Sequence, residues 1–330
     1  MDAYLPLIFM GLMALAMLVY VVLDGYDLGV GLLVPFADDD EKNRMVASIG
    51  PFWDANETWL VLGVGLLLVA FPMAHGIILG ALYLPVAVML IGLILRGVAF
   101  DFRGKAHDEH QFLWNTAFAL GSLIASFAQG YMIGRYILGF EPGATAVAFA
   151  VFIGFALAAG YTLLGATWLL MKMQGPLVQK AAIWGWRALW LTGLGIFAVS
   201  LATPYVSPRI FEKWFSLPNL FLLMPIPLLT LGLFAICESH LRRIRRGVAG
   251  KDWVPFAAAI GMFMLAFFGL AYSLYPYLVI DRLEFWDAAA APGSLKIILV
   301  GALVTLPMIV GYTIFAYKVF WGRSTELSYE

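Results

Sequence analysis

Residues 60–70 read LVLGVGLLLVA, and residues 297–304 read IILVGALV. Both runs are apolar at every position, whereas a strand of a membrane β-barrel alternates apolar and polar side chains. A helix that is apolar on all sides is typical of the hydrocarbon core of a bilayer, which about 20 helical residues cross. These runs therefore predict membrane-spanning α-helices.

Segments of the same kind follow one another along the whole chain. The 330 residues are 62% hydrophobic and 12% charged, while soluble domains are about 45–50% apolar and about 25% charged. We predict one all-α domain over residues 1–330, a polytopic helical bundle of about nine transmembrane helices. The predicted spans are 5–33, 51–71, 77–100, 111–139, 147–171, 181–203, 219–239, 253–275 and 294–319.

The distribution of lysine and arginine predicts the orientation of the bundle. Most of the 20 basic residues fall in loops on one side, including the run Arg242–Arg246. Because cytoplasmic loops carry an excess of Lys and Arg, the N-terminus is expected outside and the C-terminus inside. We prefer a topogenic role for Arg242–Arg246 over a contact with anionic lipid. The formal net charge of −1 gives no sign of a nucleic-acid partner.

A short internal similarity suggests duplicated helical units. Residues 25–29 read GYDLG, and residues 160–165 read GYTLLG. Two such matches in a glycine-rich sequence predict two four-helix units, about 5–139 and 147–275, followed by a ninth helix at 294–319.

The four acidic residues of the first two predicted spans carry the functional signal. Asp24 and Asp27 are three residues apart on the first span, and Asp54 and Glu57 are three apart on the second. Each pair therefore lies on one helical face. A charged side chain inside a membrane is costly and needs either a partner or a function.

The rise of a helix places the two pairs at one membrane face. Asp24 lies about 28 Å past the outer end of its span at 1.5 Å per residue. Asp54 follows Pro51 in the first turn of the next span, which starts on the same side. Half-buried carboxylates at the cytoplasmic end of a bundle are suited to collecting protons. The alternative is structural, with Asp54 and Glu57 complementing a helix dipole and Asp24 and Asp27 paired with Arg96 or Arg103.

Metal- and haem-ligand patterns are absent from the sequence. There is one cysteine, Cys237, and the four histidines, His75, His107, His110 and His240, fall in loops or at span ends. Haem ligation usually needs a histidine inside the bundle. We therefore predict no metal site and no catalytic residue in this chain.

Several motifs resemble subunit II of the cytochrome bd quinol oxidases. Residues 23–31, LDGYDLGVG, are similar to the first-helix motif of that family, and residues 52–59, FWDANETW, to its second-helix motif. Residues 96–103, RGVAFDFR, and 160–169, GYTLLGATWL, resemble two further motifs. Tyr275-Pro-Tyr and Trp286-Asp-Ala look like the last outside loop of the family. The matches run in order over nearly the whole chain.

The resemblance implies a terminal oxidase of the respiratory chain, in a prokaryotic cell (inner) membrane, that is electrogenic without pumping protons. This chain would be the haem-free partner of a subunit I that oxidises quinol and carries two b-type haems and haem d or a third b-type haem. Dioxygen is reduced to water with protons from the cytoplasm. The family also implies a structural quinone on this chain in some relatives and a small single-helix accessory subunit. No residue here is assigned to either.

Individual roles carry over from the same motifs. Asp24 and Asp54 would form the proton pathway, joined by Asp27 and Glu57, and Trp59 matches a position near an oxygen-access tunnel. A Trp59 that simply packs between helices is the alternative. The family often has His where this chain has Phe52, so a role of that His does not carry over.

Two other functions are compatible with intramembrane acids. A proton-coupled secondary transporter would place them near the bilayer midplane in broken helices, whereas here they lie near one face. A structural scaffold for subunit I would need none of them for turnover.

Overall fold

The structure, a computed structural model, describes residues 2–104, 108–248, 250–320 and 322. His107 and the basic residues Lys105 and Arg323, which bear on the predicted orientation, lie outside the described residues. The helices, in chain order, are α1 Leu5–Leu33, α2 Asp39–Ala47, α3 Trp53–Ala70, α4 Pro72–Arg103, α5 Asp108–Ile137, α6 Ala144–Lys172, α7 Pro176–Val206, α8 Pro208–Phe215, α9 Asn219–Leu223, α10 Pro225–Arg245, α11 Val254–Leu274, α12 Phe285–Ala288 and α13 Pro292–Val319.

The all-α membrane class is confirmed. Within the described parts of the chain, eight helical segments are long and apolar enough to cross a membrane. They coincide with eight of the nine predicted spans and are mostly a few residues longer at one or both ends. The remaining one, 51–71, forms α3, whose 18 residues rise about 27 Å. It is not among the eight because its first two turns, WDANET, are polar.

Four short features between the spans were not predicted: the helices α2, α8 and α12 and one β-hairpin. Helix α2 has the sequence DDEKNRMVA and begins with a capping box formed by Asp38 and Glu41. Helix α8 lies between α7 and α9. The strands β1, Tyr277–Val279, and β2, Leu283–Glu284, form an antiparallel hairpin. A search for apolar segments of about 20 residues cannot detect such elements, because they are short or polar.

Lys180 ties α2 to the start of α7. Its ammonium lies 2.8 Å from Asp38 Oδ2 and 2.8 Å from Glu41 Oε2. The hydrogen bond from Lys180 lowers the pKa of Asp38. The loop after α1 is therefore attached to the second half of the chain, next to the end of α1 that carries the acids.

Helix α1 lies at the centre of the bundle and crosses α6 at very short range. A Cβ atom on Gly29 would lie 1.8 Å from the carbonyl oxygen of Tyr161, and one on Gly165 would lie 2.3 Å from the carbonyl carbon of Gly29. Small residues let membrane helices approach this closely. Both glycines belong to the two similar motifs, so the internal similarity marks the point where the two helices cross.

The helix neighbours also repeat. Helix α1 packs on α3 and α5, and α4 packs on α3 and α5. In the same way α6 packs on α7 and α11, and α10 packs on α7 and α11. Helix α13 lies apart from both groups, with most of its side chains exposed and its few contacts mainly to α1 and α3.

We expect Gly29→Ala to lower the yield and the thermal stability of the assembled protein, because the new methyl group would force α1 and α6 apart. Gly11→Ala is the matched control on the same helix, since a Cβ atom there meets nothing within 4 Å. Thermal unfolding in detergent measures both variants, and equal stabilities would contradict the close crossing.

Candidate functional site

Polar side chains line one face of α1 along about 10 Å of its length. Tyr20, Asp24 and Asp27 follow one another at a spacing of four and then three residues, which keeps them on the same side of the helix. All three are buried, and both carboxylates are 0% exposed. Their direct partners are Gln129 of α5, Arg96 of α4 and Asn56 of α3, so four helices meet at this face.

A buried arginine joins the two predicted acid pairs. Arg96 of α4 is 1% exposed, and its Nη2 atom lies 2.7 Å from Asp24 Oδ1. The same nitrogen also donates to Glu57 Oε1 of α3. Asp24 is fully enclosed, whereas the side chain of Glu57 is 27% exposed. We call Asp24, Arg96 and Glu57 the charge triad. It connects a carboxylate in the interior to one that reaches the surface of this chain.

The geometry decides between Arg96 and Arg103 as the partner of Asp24. Asp24 is paired with Arg96, as the structural alternative expects. Arg103 instead donates to Asn115 and to Asn43 Oδ1, the latter at 2.7 Å. It therefore ties the end of α4 to α5 and α2, away from the triad.

Asp27 belongs to a second network, in which its partners are amide and hydroxyl groups. Asn56 Nδ2 donates to Asp27 Oδ2 at 2.7 Å and to the Tyr26 hydroxyl at 3.0 Å. The Tyr26 hydroxyl lies 2.6 Å from the hydroxyl of Tyr317, which also donates to Asn56 Oδ1 at 3.3 Å. We call Asp27, Asn56, Tyr26 and Tyr317 the amide network. It links α1 and α3 to the last helix, α13.

A third group extends the polar face toward the other end of α1. Gln129 of α5 donates to the Tyr20 hydroxyl at 2.7 Å and accepts from the Tyr161 hydroxyl at 2.7 Å. Gln129 was not among the predicted site residues, although a glutamine inside a predicted span is a visible signal. Tyr161 and Tyr317 were not predicted either, because a tyrosine within an apolar span is equally typical of a packing residue.

Several atoms of the cluster keep unused hydrogen-bonding capacity. Asp24 Oδ2, Asp27 Oδ1 and the Nε and Nη1 atoms of Arg96 are buried and have no hydrogen-bond partner within the described residues. Buried polar groups normally have a partner, either protein or water. These four atoms therefore retain unused hydrogen-bonding capacity in the interior of the bundle.

Asp54 takes a different position from the other three acids. It lies in the first turn of α3 and is exposed on this chain. Its charge acts on Glu57, which lies about one turn further along the same helix. Complementing the helix dipole, the structural alternative, is compatible with this position. An exposed carboxylate near a membrane span needs to be covered by water or by another protein chain.

Trp59 lies one and a half turns beyond Asp54 on the inner side of α3. It is 3% exposed and forms a buried cluster with Ala16 and Tyr20 of α1, against which Leu306 and Ile309 of α13 pack. Its indole nitrogen is buried and has no hydrogen-bond partner within the described residues. The residue thus fills the space between three helices near the charge triad.

A comparison with protein families gives one match over almost the whole chain. The family model described as cytochrome bd terminal oxidase subunit II matches residues 5–320. That range contains the charge triad and the amide network.

Individual relatives agree with this match. The chain is 26% identical to "Cytochrome bd ubiquinol oxidase subunit 2" of Bacillus subtilis, covering 94% of each chain. It is also 26% identical to "Cytochrome bd-I ubiquinol oxidase subunit 2" of Escherichia coli, covering 93% of this chain and 92% of the relative. A chain in the structure of the bd oxidase from Geobacillus thermodenitrificans has the same fold, with a TM-score of 0.79, 16% identity and coverage of 96% and 98%.

The eight spans and the bacterial relatives together identify a multi-pass protein of a prokaryotic cell membrane. The family match covers far more than half of the sequence and agrees with the motif order in the chain. On these grounds the chain is a member of the cytochrome bd terminal oxidase subunit II family.

Proposed function

We propose that this chain supplies cytoplasmic protons to a haem-bearing subunit I, in which quinol is oxidised and dioxygen is reduced to water. The observation that carries the proposal is the charge triad, which joins a carboxylate in the interior, Asp24, to one at the surface, Glu57. Exposed Asp54 lies about one turn from Glu57. Together they form a series of ionisable groups that leads from the chain surface to its core.

The haems are proposed to lie in the partner. The described histidines do not fit a haem-ligand pair. His75 and His110 lie in the first turns of α4 and α5. His240 is exposed and its Nδ1 atom lies 2.9 Å from the Ile236 carbonyl oxygen. The family resemblance implies two b-type haems and haem d, or a third b-type haem, and we propose that subunit I holds them. A structural quinone and an accessory subunit stay predictions from the family resemblance.

The orientation and the two-unit organisation are also part of the proposal. With the N-terminus outside and the C-terminus inside, the acid-bearing ends of α1 and α3 lie beside the cytoplasm. The repeated neighbours of α1 and α6 support two four-helix units, 5–139 and 147–275, with α13 as the additional helix.

The arrangement supports proton transfer in three ways. First, Arg96 offsets the charge of two carboxylates that would otherwise repel each other in a medium of low dielectric. Second, Asp24 Oδ2 and Asp27 Oδ1 have no hydrogen-bond partner within the described residues, so each oxygen can still accept a hydrogen bond. Third, the exposed acid Asp54 can exchange protons with the solvent or with the partner chain.

A structural scaffold is the second candidate function, and the buried Asp24 to Arg96 pair favours it. Breaking such a pair by removing one member typically destabilises a protein by about 3–5 kcal/mol. A scaffold role predicts variants that assemble less well but turn over normally once assembled. Turnover must therefore be expressed per assembled haem. A transporter has less support, since the family match is to an oxidase subunit.

We expect Asp54→Asn to slow oxygen consumption per haem by roughly tenfold or more, because loss of a proton-transferring group typically costs that much or more. The haem spectrum should be unchanged. Asp40→Asn is the control, since Asp40 is an exposed acid on α2 outside the site. Turnover of the purified complex measures both, and an Asp54→Asn variant that turns over like the control would favour the scaffold.

If Trp59 lines an oxygen path, Trp59→Ala should change the oxygen affinity of the complex, because it opens space between α1, α3 and α13. Trp190→Ala is the control, since that side chain is 50% exposed and lies on α7. Oxygen consumption measured as a function of oxygen concentration tests this. Identical affinities in the wild type and Trp59→Ala would leave Trp59 a packing residue.

A further inference from the structure

The amide network contains a residue whose orientation is set by its neighbours. The Asn56 amide contacts four groups: Nδ2 lies 3.3 Å from the Leu23 carbonyl oxygen, 3.0 Å from the Tyr26 hydroxyl and 2.7 Å from Asp27 Oδ2. The fourth contact joins Oδ1 to the Tyr317 hydroxyl at 3.3 Å. A carbonyl oxygen only accepts hydrogen bonds. The side of the amide that faces Leu23 must therefore be the NH2 group.

Tyr317 stabilises the same orientation from the other side. Its hydroxyl donates to Asn56 Oδ1. If the amide were rotated by 180°, its oxygen would face the Leu23 carbonyl oxygen, and neither of these two oxygens could donate a hydrogen bond. The Tyr26 hydroxyl, 2.6 Å away, completes the link. As a result, Asn56 presents an N–H group to Asp27, and Asp27 Oδ2 has a donor that does not depend on solvent.

The position of Tyr317 is itself well determined, although α13 is mostly exposed. Its ring stacks on Phe52 with centroids 4.5 Å apart. Three residues later, the carbonyl oxygen of Phe320 accepts a hydrogen bond of 2.7 Å from Lys172 of α6. That ammonium lies over the rings of Phe52 and Trp168, 5.5 and 5.0 Å from their centroids. The end of α13 is thus held against Phe52, which precedes α3, and against Lys172 at the end of α6.

We infer that Asn56 and Tyr317 are positioning residues of the proton pathway: Tyr317 orients the Asn56 amide, and the amide holds Asp27 as a hydrogen-bond acceptor on the face of α1 that also carries Asp24. Helix α13 thereby controls how readily Asp27 exchanges a proton. The inference rests on the proposed function, because it concerns the same acids. It adds that the last helix sets their geometry.

The other groups around Asp27 define what a test has to separate. The charges of Asp24, Arg96 and Glu57 act on it from α1, α4 and α3. The Tyr26 hydroxyl and the Leu23 carbonyl oxygen share the Asn56 NH2 group with Asp27. A change at Tyr317 leaves all of these side chains in place. If it lowers turnover only when Asp27 is present, the effect is transmitted by the amide network and not by the charges of the triad.

The test uses Tyr317→Phe in the complete complex with its haem-bearing partner. The variant removes one hydroxyl and keeps the ring that stacks on Phe52. Loss of about one hydrogen bond predicts a roughly three- to tenfold lower oxygen consumption per haem and a shifted midpoint of its pH profile. Tyr312→Phe is the matched control, because this tyrosine lies on α13 and is 60% exposed. It should match the wild type in both measurements.

A double-mutant cycle with Asp27→Asn identifies the residue through which Tyr317 acts. If the inference holds, Asp27→Asn lowers turnover, and adding Tyr317→Phe to it has no further effect. Independent, multiplying effects would overturn the inference while leaving Asp27 in the pathway. Normal turnover of both Asp27→Asn and Asp54→Asn would instead remove the proposed function. Should Tyr317→Phe fail to assemble, Tyr26→Phe removes the neighbouring hydroxyl and serves in the same cycle, with the same two outcomes.

Discussion

The functional part of this protein depends on one arginine held between two carboxylates in the interior of a helical bundle. Arg96 reaches Asp24 and Glu57 from a different helix than either of them. In a medium of low dielectric, each of these charges alone would be costly to bury. Three charges together, with hydrogen bonds between them, make the cluster tolerable. Their net charge, when all three are ionised, is negative, which suits a site that attracts protons.

This arrangement requires α1 to be surrounded by other helices on every side near its acids. The crossing with α6 provides that, because Gly29 and Gly165 bring the two backbones into direct contact. Packed so closely, α1 places Tyr20, Asp24 and Asp27 against partners on α5, α4 and α3. The glycines and the acids thus occupy one short motif for one physical reason. The glycines permit the close approach, and the approach encloses the acids.

Hydropathy alone was sufficient to predict the long helices, because a bilayer requires about 20 apolar residues for each span. The span predicted at 51–71 forms α3, and it is less apolar than the others because Asp54 and Glu57 in its first turns lower its mean hydropathy. The acids themselves were predicted from their cost in a membrane. Their partners were not: whether Asp24 meets Arg96 or Arg103 depends on how α1, α3 and α4 rotate about their axes. Gln129 and Tyr317 come from helices distant in sequence, so their contacts arise only in the folded bundle.

We propose that protons reach the site of oxygen reduction through these acids. The most direct measurement is the rate of proton uptake from the cytoplasmic side when the fully reduced complex in vesicles is exposed to oxygen, compared between wild type and Asp24→Asn. The account predicts slower uptake in the variant, with the haem content per complex unchanged. Uptake at the wild-type rate in an intact Asp24→Asn complex would contradict it.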